Sequence, residues 1–535
     1  MDTIGHLTRR AALPIIGTVC SVEAIHGFGV ERSPITETTY GRVQGASVHG
    51  VHIFRGLPYG GPTEGAGRFL PPSKPEKWAG VRDATVTGPR CVQGSGNIFL
   101  NPIIGEYFAG GRTDRPELAK QVDSENCLVL NVLTPGLRGK RPVMVYIHGG
   151  GFSSGSSALT LFSDGLVREQ DVVLVGVNHR LNVFGYMYLG GLSSKYAVGN
   201  AGQLDLVAAL EWVRDNIAQF GGDPTRVMIF GESGGGAKIS ALMAMPAARG
   251  LFHRASVQSG SMLRVATAEA ATESARKMLA HVGLSERQVE KLREIPADQL
   301  LAAGRGQGPG GAGGAVVDGQ SIPAQVWDPK APDASATVPM LIGNDKDEST
   351  LFALRDEALF NLDDAALRAR VIKAGIAEPD VDSLLALYRR DHPNESPSDL
   401  YFRISTDRGV RRNAIRQSEL KLEQGKANVY MWYFQWNTPL GEGSKKIRSF
   451  HTCDLPLAMR LVRFPESERV SRELSSAWAA FARSGNPSTK TLPWPAYTAS
   501  QRATMIFDAA KSGVVNDPNR EERIMLHDRP SGSLL

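Results

Sequence analysis

The chain has 535 residues, with 60 basic and 55 acidic side chains and a formal net charge of +5 at pH 7. Apolar residues make up 42% of it, which is typical of a soluble globular protein with a large core. The small net charge and the lack of Lys/Arg tracts interleaved with aromatic residues argue against nucleic-acid binding.

Residues 1–30 form a segment distinct from the rest. Arg9-Arg10 precede an apolar run from Ala11 to Cys20, which is too short to span a bilayer. The pattern predicts a twin-arginine-like export signal with cleavage near Ala24, and therefore a periplasmic or secreted protein. The alternative is a disordered tail with a chance arginine pair on a cytoplasmic protein. No later segment predicts a membrane span.

The cysteines show no metal-binding pattern. They are Cys20, Cys91, Cys127 and Cys453, without C-x-x-C spacing or a histidine cluster. We therefore expect no structural metal. Cys91 and Cys127 are candidates for one disulfide in an oxidising compartment, although spacing alone does not decide it. For Cys453, a free buried thiol and a thiol that tunes a neighbouring site are the two interpretations.

Residues 31–530 are predicted to form one α/β domain. Short apolar or β-branched runs predict strands at 51–54, 128–133, 143–147, 172–177 and 227–230. Helical spacing of apolar residues at 204–220 and a helix-rich composition at 352–425 alternate with or follow these strands. The alternation predicts a mostly parallel sheet covered by helices on both faces. The glycine-rich stretch 304–314 lacks the strand and helix of a phosphate loop, so we expect a flexible loop there.

Residues 231–235, Gly-Glu-Ser-Gly-Gly, fit the pattern G-x-S-x-G. The glycines are needed because the serine occupies a sharp, strained turn between a strand and a helix, where larger side chains would clash. A predicted strand precedes Ser233 and an apolar helical run at 237–244 follows it. The pattern therefore predicts that Ser233 is a nucleophile, with an ornamental turn as the alternative. Glu232, beside it, is expected to support the site electrostatically.

The run His148-Gly-Gly-Gly-Phe152 follows directly on the predicted strand 143–147. A serine that attacks a carbonyl carbon creates a tetrahedral oxyanion, which requires preorganised N–H donors. Consecutive glycines let bare backbone approach such a substrate. We expect the N–H groups of Gly150, Gly151 and Gly234 to form this oxyanion hole, and a tight glycine turn is the alternative.

A serine nucleophile needs a histidine base that is oriented by an acid. In the α/β-hydrolase fold, which this strand–serine–helix pattern is typical of, the chain order is serine, acid, histidine. The candidate acids at the end of an apolar run are Asp345, Asp347 and Glu348. The candidate bases are His392, His451 and His527. We favour Glu348 as the acid, although spacing excludes none of these residues.

Taken together, the motifs resemble the type-B carboxylesterase family, which includes the cholinesterases and bacterial para-nitrobenzyl esterases. The resemblance covers nearly the whole chain from Tyr40 to Tyr497. Further signatures that carry it lie at 54–59, 124–128, 178–180, 199–200, 218–224, 258–261, 346–348 and 451–455. It implies an α/β-hydrolase fold, with a mostly parallel central sheet flanked by helices.

The resemblance also implies roles for single residues. It selects Glu348 of the Lys-Asp-Glu motif as the acid and His451 as the base, and it places Ser259 near the triad. It implies a disulfide between Cys91 and Cys127.

The resemblance further implies two structural ion pairs, Arg55 with Glu125 and Arg180 with Asp205. One position departs from the family, which usually has alanine where this chain has Gly234. We expect a looser turn there, with the N–H donor retained.

The sequence therefore predicts a serine carboxylic-ester hydrolase that forms an acyl-enzyme, without a metal or an organic cofactor. We expect small to medium, apolar ester substrates, and a monomer or homodimer. The pocket walls are expected from the loop 94–122 and from the helical region after Leu351. The alternatives are a catalytically silent binding protein of the same fold and an enzyme for amides or carbamates. Fluorophosphonate labelling and matched ester and amide substrates separate these alternatives.

Overall fold

The computed structural model describes residues 31–94, 107–108, 121–305, 314–440 and 446–527. The expected export signal at 1–30 and most of the glycine-rich stretch at 304–314 lie outside these described residues, as does most of the loop 94–122.

Within these ranges one large sheet dominates the fold. The strands are β1 (Glu31–Arg32), β2 (Thr36–Thr38), β3 (Gly41–Gln44), β4 (Ala46–Val48), β5 (Val51–Pro58), β6 (Val81–Asp83), β7 (Val129–Thr134), β8 (Arg141–Ile147), β9 (Val173–Val177), β10 (Gly222–Glu232), β11 (Arg254–Gln258), β12 (Ala266–Thr267), β13 (Val316–Val317), β14 (Met340–Asp345), β15 (Val429–Phe434), β16 (Ala503–Phe507) and β17 (Gly513–Asn516). Twelve of them pair in the order β1-β4-β5-β7-β9-β8-β10-β11-β14-β15-β16-β17.

The centre of this sheet is parallel and its edges are antiparallel. Every pairing from β9 through β8, β10, β11, β14 and β15 to β16 is parallel. On one side of the sheet, the pairings β1–β4, β4–β5, β5–β7 and β7–β9 are antiparallel. On the other side, β16 and β17 pair antiparallel. The predicted strands are all confirmed, and the predicted mostly parallel sheet is confirmed for its centre.

Helices connect and cover the strands. They are α1 (Asp164–Gln170), α2 (Asn182–Tyr186), α3 (Ala201–Asn216), α4 (Gly234–Leu242), α5 (Ala268–His281), α6 (Ala297–Arg305), α7 (Ser349–Ala353), α8 (Asp364–Lys373), α9 (Glu378–Asp391), α10 (Pro397–Thr406), α11 (Arg412–Glu423), α12 (Asp454–Ala458), α13 (Glu468–Ser484) and α14 (Arg520–Leu526). The helix predicted at 204–220 is α3 with a following 3₁₀ turn, and the region 352–425 is helical as predicted. No helix in the described ranges is long and apolar enough to cross a membrane.

Strand β8 shows why the central strands of the sheet have continuously apolar sequences. Val143, Val145 and Ile147 pack into the core on one face of the sheet. Met144 and Tyr146 pack into a second core on the opposite face. Successive side chains of a strand point to opposite faces, so a strand that is buried on both sides carries no polar alternation.

One of the two predicted ion pairs is confirmed and the other is wrong. The buried Arg180 places its Nε 2.8 Å from Oδ2 of Asp205 and its Nη2 2.6 Å from Oδ1. Glu125 instead pairs with Arg68, whose Nε lies 2.7 Å from Oε2. Both oxygens of Glu125 bind the Arg68 guanidinium, and Arg55 donates to the hydroxyl oxygen of Thr87 at 3.3 Å.

The disulfide expected between Cys91 and Cys127 is not formed in the structure, where both side chains are buried free thiols. The Sγ atom of Cys91 accepts the N–H of Leu181 at 3.2 Å. A hydrogen bond with Cys91, followed by burial, raises the pKa of Cys127 well above its usual range. Cys453 is also a buried free thiol, as the first of its two interpretations had it.

Candidate active site

Three neighbouring parallel strands bring the conspicuous motifs together. Strands β8, β10 and β11 end at Ile147, Glu232 and Gln258. The carboxyl ends of parallel strands meet at one edge of a sheet, which is where open α/β folds place their sites. The residues that follow these strands, His148, Ser233 and Ser259, are therefore neighbours at this edge.

Ser233 occupies a strained turn. Its backbone has φ 57° and ψ −125°, a conformation that residues other than glycine rarely adopt. Its N–H donates to the carbonyl oxygen of Gln258 at 2.8 Å, which ties the turn to β11. A Cβ atom on Gly231 or Gly235 would overlap the carbonyl oxygen of Ile147. The glycines of the motif are therefore required by the close packing of this turn, and the serine hydroxyl stands at the strand end.

His451 links Ser233 to Glu348. Its Nε2 lies 2.8 Å from the Oγ of Ser233. Its Nδ1 is hydrogen-bonded to the carboxylate of Glu348, whose other oxygen accepts the N–H of Asp345 at 2.9 Å. His451 and Glu348 are buried, whereas Ser233 is partly exposed. The three side chains form one hydrogen-bonded chain that ends at a solvent-accessible hydroxyl.

The segment after β14, which carries Glu348, is hydrogen-bonded to the segment that precedes His451. The N–H of Asp347 donates to the carbonyl oxygen of Ser449 at 2.9 Å, and Asp347 bridges to Phe450. The hydroxyl of Thr350 donates to Ile447 at 2.8 Å. These bonds align the two segments in parallel, so that residue 348 faces residue 451.

The rival candidates lie elsewhere. Asp347 pairs with Lys346 at 3.4 Å and does not contact His451. Both carboxylate oxygens of the buried Asp345 lack a hydrogen-bond partner among the described residues. His392 binds Glu522 at 2.9 Å. His527 follows α14 and lines the cleft over Ser233.

Glu232 is a second acid beside the imidazole. Its Oε1 lies 3.2 Å from Nε2 of His451, and its side chain is buried. Burial raises the pKa of Glu232 well above its usual range. Burial alone would lower the pKa of His451, but the carboxylates of Glu232 and Glu348 outweigh it and raise that pKa to about 9. Glu232 therefore contacts the imidazole, and its supporting role stays a prediction.

Hydrogen bonds anchor carbonyl groups of the glycine loop, residues 149–151. The carbonyl oxygen of Gly149 lies 3.0 Å from Nδ1 of His148, and that of Gly150 accepts the N–H of Ser154 at 3.1 Å. In a planar trans peptide the N–H points opposite to the C=O. The N–H groups of Gly150 and Gly151 are therefore turned away from these anchors. Gly151 lines the same cleft as Ser233.

Gly234 packs directly against this loop. It is the first residue of α4, so its N–H has no partner within the helix. A Cβ atom on Gly234 would lie 2.5 Å from the backbone nitrogen of Gly151 and would overlap its carbonyl oxygen. The turn was expected to be looser than in the family, but the loop fills the space that an alanine methyl group would need.

Ser259 lies beside this turn. It follows β11 and has a positive φ of 49°, and its N–H donates to Gly343 at 2.9 Å. Its hydroxyl is buried without a hydrogen-bond partner in the described part of the chain. Ser259 lines the cleft together with Ser233, so the expected proximity to the triad is present.

A cleft of about 950 Å³ opens over Ser233. Its apolar lining residues are Phe152, Ala237, Met262 and Leu263. Its polar lining residues include Arg264, Asp328, Arg412, Asn413, Arg416 and His527. A side cavity of about 340 Å³ shares Phe152, Met262 and Arg264 with the cleft and extends along α5.

Two residues at the site had no part in the sequence prediction. Phe352 on α7 is 49% exposed, and its ring centroid lies 5.1 Å from that of His451. Lys238 on α4 is completely buried and donates to the carbonyl oxygen of His148 at 3.0 Å. A lysine inside the apolar run 237–244 was the available signal for the second. Among the described residues no group of three or more His, Cys, Asp or Glu side chains is arranged to hold a metal ion.

Known proteins are similar to this chain over most of its length. A family model described as the carboxylesterase family matches residues 32–525. The chain is 34% identical over 510 residues to the para-nitrobenzyl esterase of Bacillus subtilis (strain 168), which covers 91% of this chain and 97% of that relative. It is 31% identical over 524 residues to the cocaine esterase of Homo sapiens, covering 91% and 90% of the two chains.

The solved structures give the same picture. A carboxylesterase of Geobacillus stearothermophilus superposes with a TM-score of 0.77 at 35% identity. The superposition covers 92% of this chain and 99% of that one. The likeness therefore extends over most of the chain.

Proposed function

The chain belongs to the carboxylesterase family, has the α/β-hydrolase fold and is a carboxylic-ester hydrolase, and we propose that Ser233, His451 and Glu348 are its catalytic triad. One observation carries this proposal: His451 is hydrogen-bonded to both of the other side chains, with Nε2 2.8 Å from the Ser233 Oγ. That distance is within the reach required of a general base.

In the proposed acylation, the Ser233 oxygen attacks the ester carbonyl carbon while its proton passes to Nε2 of His451. The Glu348 carboxylate accepts the N–H of Nδ1, so the unprotonated nitrogen faces the serine and the imidazolium that forms is stabilised. His451 then gives the proton to the leaving alkoxide as the ester C–O bond breaks. An acyl-enzyme on Ser233 remains.

The tetrahedral intermediate carries a negative charge on the former carbonyl oxygen. We propose that the N–H groups of Gly150, Gly151 and Gly234 bind it. The anchored carbonyl groups of Gly149 and Gly150 support this assignment, because they hold the donors in place before the charge develops.

Deacylation repeats the same steps with water. His451 takes a proton from a water molecule that attacks the acyl carbon, and the proton returns to the Ser233 oxygen as the acyl bond breaks. The acid product then leaves through the cleft.

For the substrate, we propose small to medium esters with an apolar part. The apolar wall next to Ser233 and the connected side cavity along α5 support this proposal. The exposed ring of Phe352 over His451 adds apolar surface from the helical region that the sequence predicted to line the pocket. The same cleft is also lined by Arg264, Arg412 and Arg416.

We also propose that residues 1–30 direct export of the protein, as their twin-arginine pattern suggests. Replacing Arg9 and Arg10 with lysine should retain the protein in the cytoplasm with its amino-terminal segment uncleaved. Export that continues unchanged in this double variant would contradict the proposal.

The triad is tested by Ser233→Ala. Removing the nucleophile of such a triad costs about 10⁴-fold or more in kcat. Ser259→Ala is the matched control, because it deletes the buried hydroxyl of another serine whose residue lines the same cleft. We expect Ser259→Ala to keep activity of the wild-type order. Full ester turnover by Ser233→Ala would rule out the proposed mechanism.

A further inference from the structure

Lys238 carries a buried amine that the mechanism above does not use. It lies on α4, one turn after Gly234, and 0% of its surface is exposed. Side chains in a helix lean back toward its N-terminus, so the Lys238 side chain returns toward the nucleophile end of α4. There its Nζ donates to the carbonyl oxygen of His148 at 3.0 Å.

The buried Lys421 shows what an ordinary structural lysine looks like in this fold. Its Nζ donates to the carbonyl oxygens of Ser335 and Ala336 at 2.7 and 2.8 Å, and to Oε1 of Gln424 at 3.0 Å. Its hydrogen-bonding capacity is thus filled. Lys238 has one recorded acceptor within the described residues, the oxygen of His148. Burying an amine is costly unless it is well bonded, so this single bond needs a reason.

The hydrogen bond of Lys238 lies at the start of the glycine loop, on the peptide group between His148 and Gly149. Lys238 fixes the carbonyl group of His148, the ring of His148 fixes that of Gly149, and Ser154 fixes that of Gly150. Each anchor sets the plane of one peptide, and successive planes set the direction of the Gly150 and Gly151 N–H groups. Lys238 is the only side chain of this series that reaches the loop from α4.

The surroundings of Lys238 keep this anchor dry. The ring of Phe152 covers Nζ, with 5.8 Å between Nζ and the ring centroid. The rings of His148 and His179 stack at 4.5 Å next to it. Burial, and then the neighbouring Lys238, lower the pKa of both histidines, so both rings are neutral. Burial lowers the pKa of Lys238 to about 7, and its Nζ has an N–H to donate in either protonation state.

We propose that Lys238 is a positioning residue for the oxyanion hole, which acts by holding the His148 carbonyl group so that the Gly150 and Gly151 N–H groups face the Ser233 oxygen. The proposal rests on the proposed function, because it assumes an oxyanion at this place. It assigns a part in the reaction to a residue that touches neither the substrate nor the triad. The loss of this anchor should therefore weaken binding of the transition state more than binding of the substrate.

The test compares Lys238→Met and Lys238→Ala, which remove the donor, with Lys238→Arg, which keeps one. Lys421→Met is the matched control, since it also removes a buried lysine that donates to carbonyl groups. The readouts on the full chain are kcat and KM for a para-nitrophenyl ester, and the inhibition constant of a trifluoromethyl ketone. Ser233 adds to this ketone and its proton passes to His451, which gives a tetrahedral oxyanion. Fluorophosphonate titration counts the active sites in each preparation.

We expect Lys238→Met and Lys238→Ala to lose about tenfold or more in kcat per active site, below the 10²–10³ of deleting a donor itself. KM should change by less than about twofold, since ground-state contacts are kept, and affinity for the ketone should fall in the same proportion as kcat. Lys238→Arg should recover part of both. Lys421→Met should keep kcat and ketone affinity, even if its melting temperature falls.

Two results would overturn the role of Lys238. One is wild-type kcat and ketone affinity in either of the donor-free variants. The other is an equal loss of kcat in Lys421→Met, which would trace the effect to general destabilisation. If instead fluorophosphonate fails to label Ser233 in the active wild-type protein, then the proposed triad itself fails, and the two failures are distinguished.

Discussion

Gly151 occupies the space that a side chain on Gly234 would need. A Cβ atom on Gly234 would lie 2.5 Å from the backbone nitrogen of Gly151, well inside the distance that real Cβ atoms keep. The first turn of the helix after the nucleophile and the glycine loop are therefore packed backbone against backbone. This contact connects two proposed oxyanion donors.

This contact predicts that Gly234→Ala is damaging. The new methyl group must push the Gly151 peptide away, which misplaces a proposed donor and lowers kcat by about tenfold or more. Gly513→Ala is the control, because a Cβ atom there meets nothing within 4 Å. Steady-state kinetics on both variants checks the prediction. Unchanged kcat in Gly234→Ala would mean that the loop does not need this contact.

A second prediction separates the acids at 345–348. Glu348→Gln keeps the size of the side chain but cannot stabilise the imidazolium, and loss of the acid in such a triad costs about 10⁴-fold in kcat. Asp347→Asn is the matched control, because Asp347 pairs with Lys346 and not with His451. Its kcat should remain near that of the wild type. The reverse order of effects would reassign the acid.

The third prediction concerns pH. The base acts in its neutral form, whose share grows as pH rises through the pKa of His451, which its neighbours raise to about 9. The acidic limb of kcat/KM should therefore lie above the usual histidine range. Glu232→Gln removes a carboxylate that favours the charged imidazole, so it should move this limb to lower pH. A limb that stays in place in Glu232→Gln would show that Glu232 does not act on His451.

The side cavity along α5 gives a fourth prediction. Ala271 lines this cavity, so Ala271→Trp should fill it and lower kcat/KM for para-nitrophenyl octanoate far more than for the acetate. Ala365→Trp places the same bulk on an exposed position of α8 and serves as the control. Equal effects on both esters would place the acyl chain elsewhere in the cleft.

The sequence predicted what depends on local pattern. It predicted the strand before Ser233, the helix after it and the glycine loop, because each of these requires particular residues at fixed spacing. The choice of Glu348 and His451 needed the family resemblance, since spacing left other acids and histidines open. The structure brings these two together through the bonds of Asp347 to Ser449, which no local pattern encodes.

The errors concern contacts between distant segments. Glu125 binds Arg68 where the sequence predicted Arg55. The segment that carries Arg68 places Nε and Nη2 of its guanidinium group against the two oxygens of the Glu125 carboxylate. The packing of Gly234 against Gly151 could not be read from either motif alone. The burial of Lys238 is not predicted by the sequence, because a lysine in an apolar helix is normally expected to reach solvent.

The most direct test of the central claim is fluorophosphonate labelling of the active protein, followed by peptide mass spectrometry. The reagent forms a covalent bond with an activated serine oxygen, so loss of ester turnover should track labelling. We predict one label per chain on Ser233, in the peptide that contains Gly231 and Gly235, and no label on Ser233→Ala. A fully active protein that takes up no label, or takes it up on another serine as activity is lost, would contradict the account.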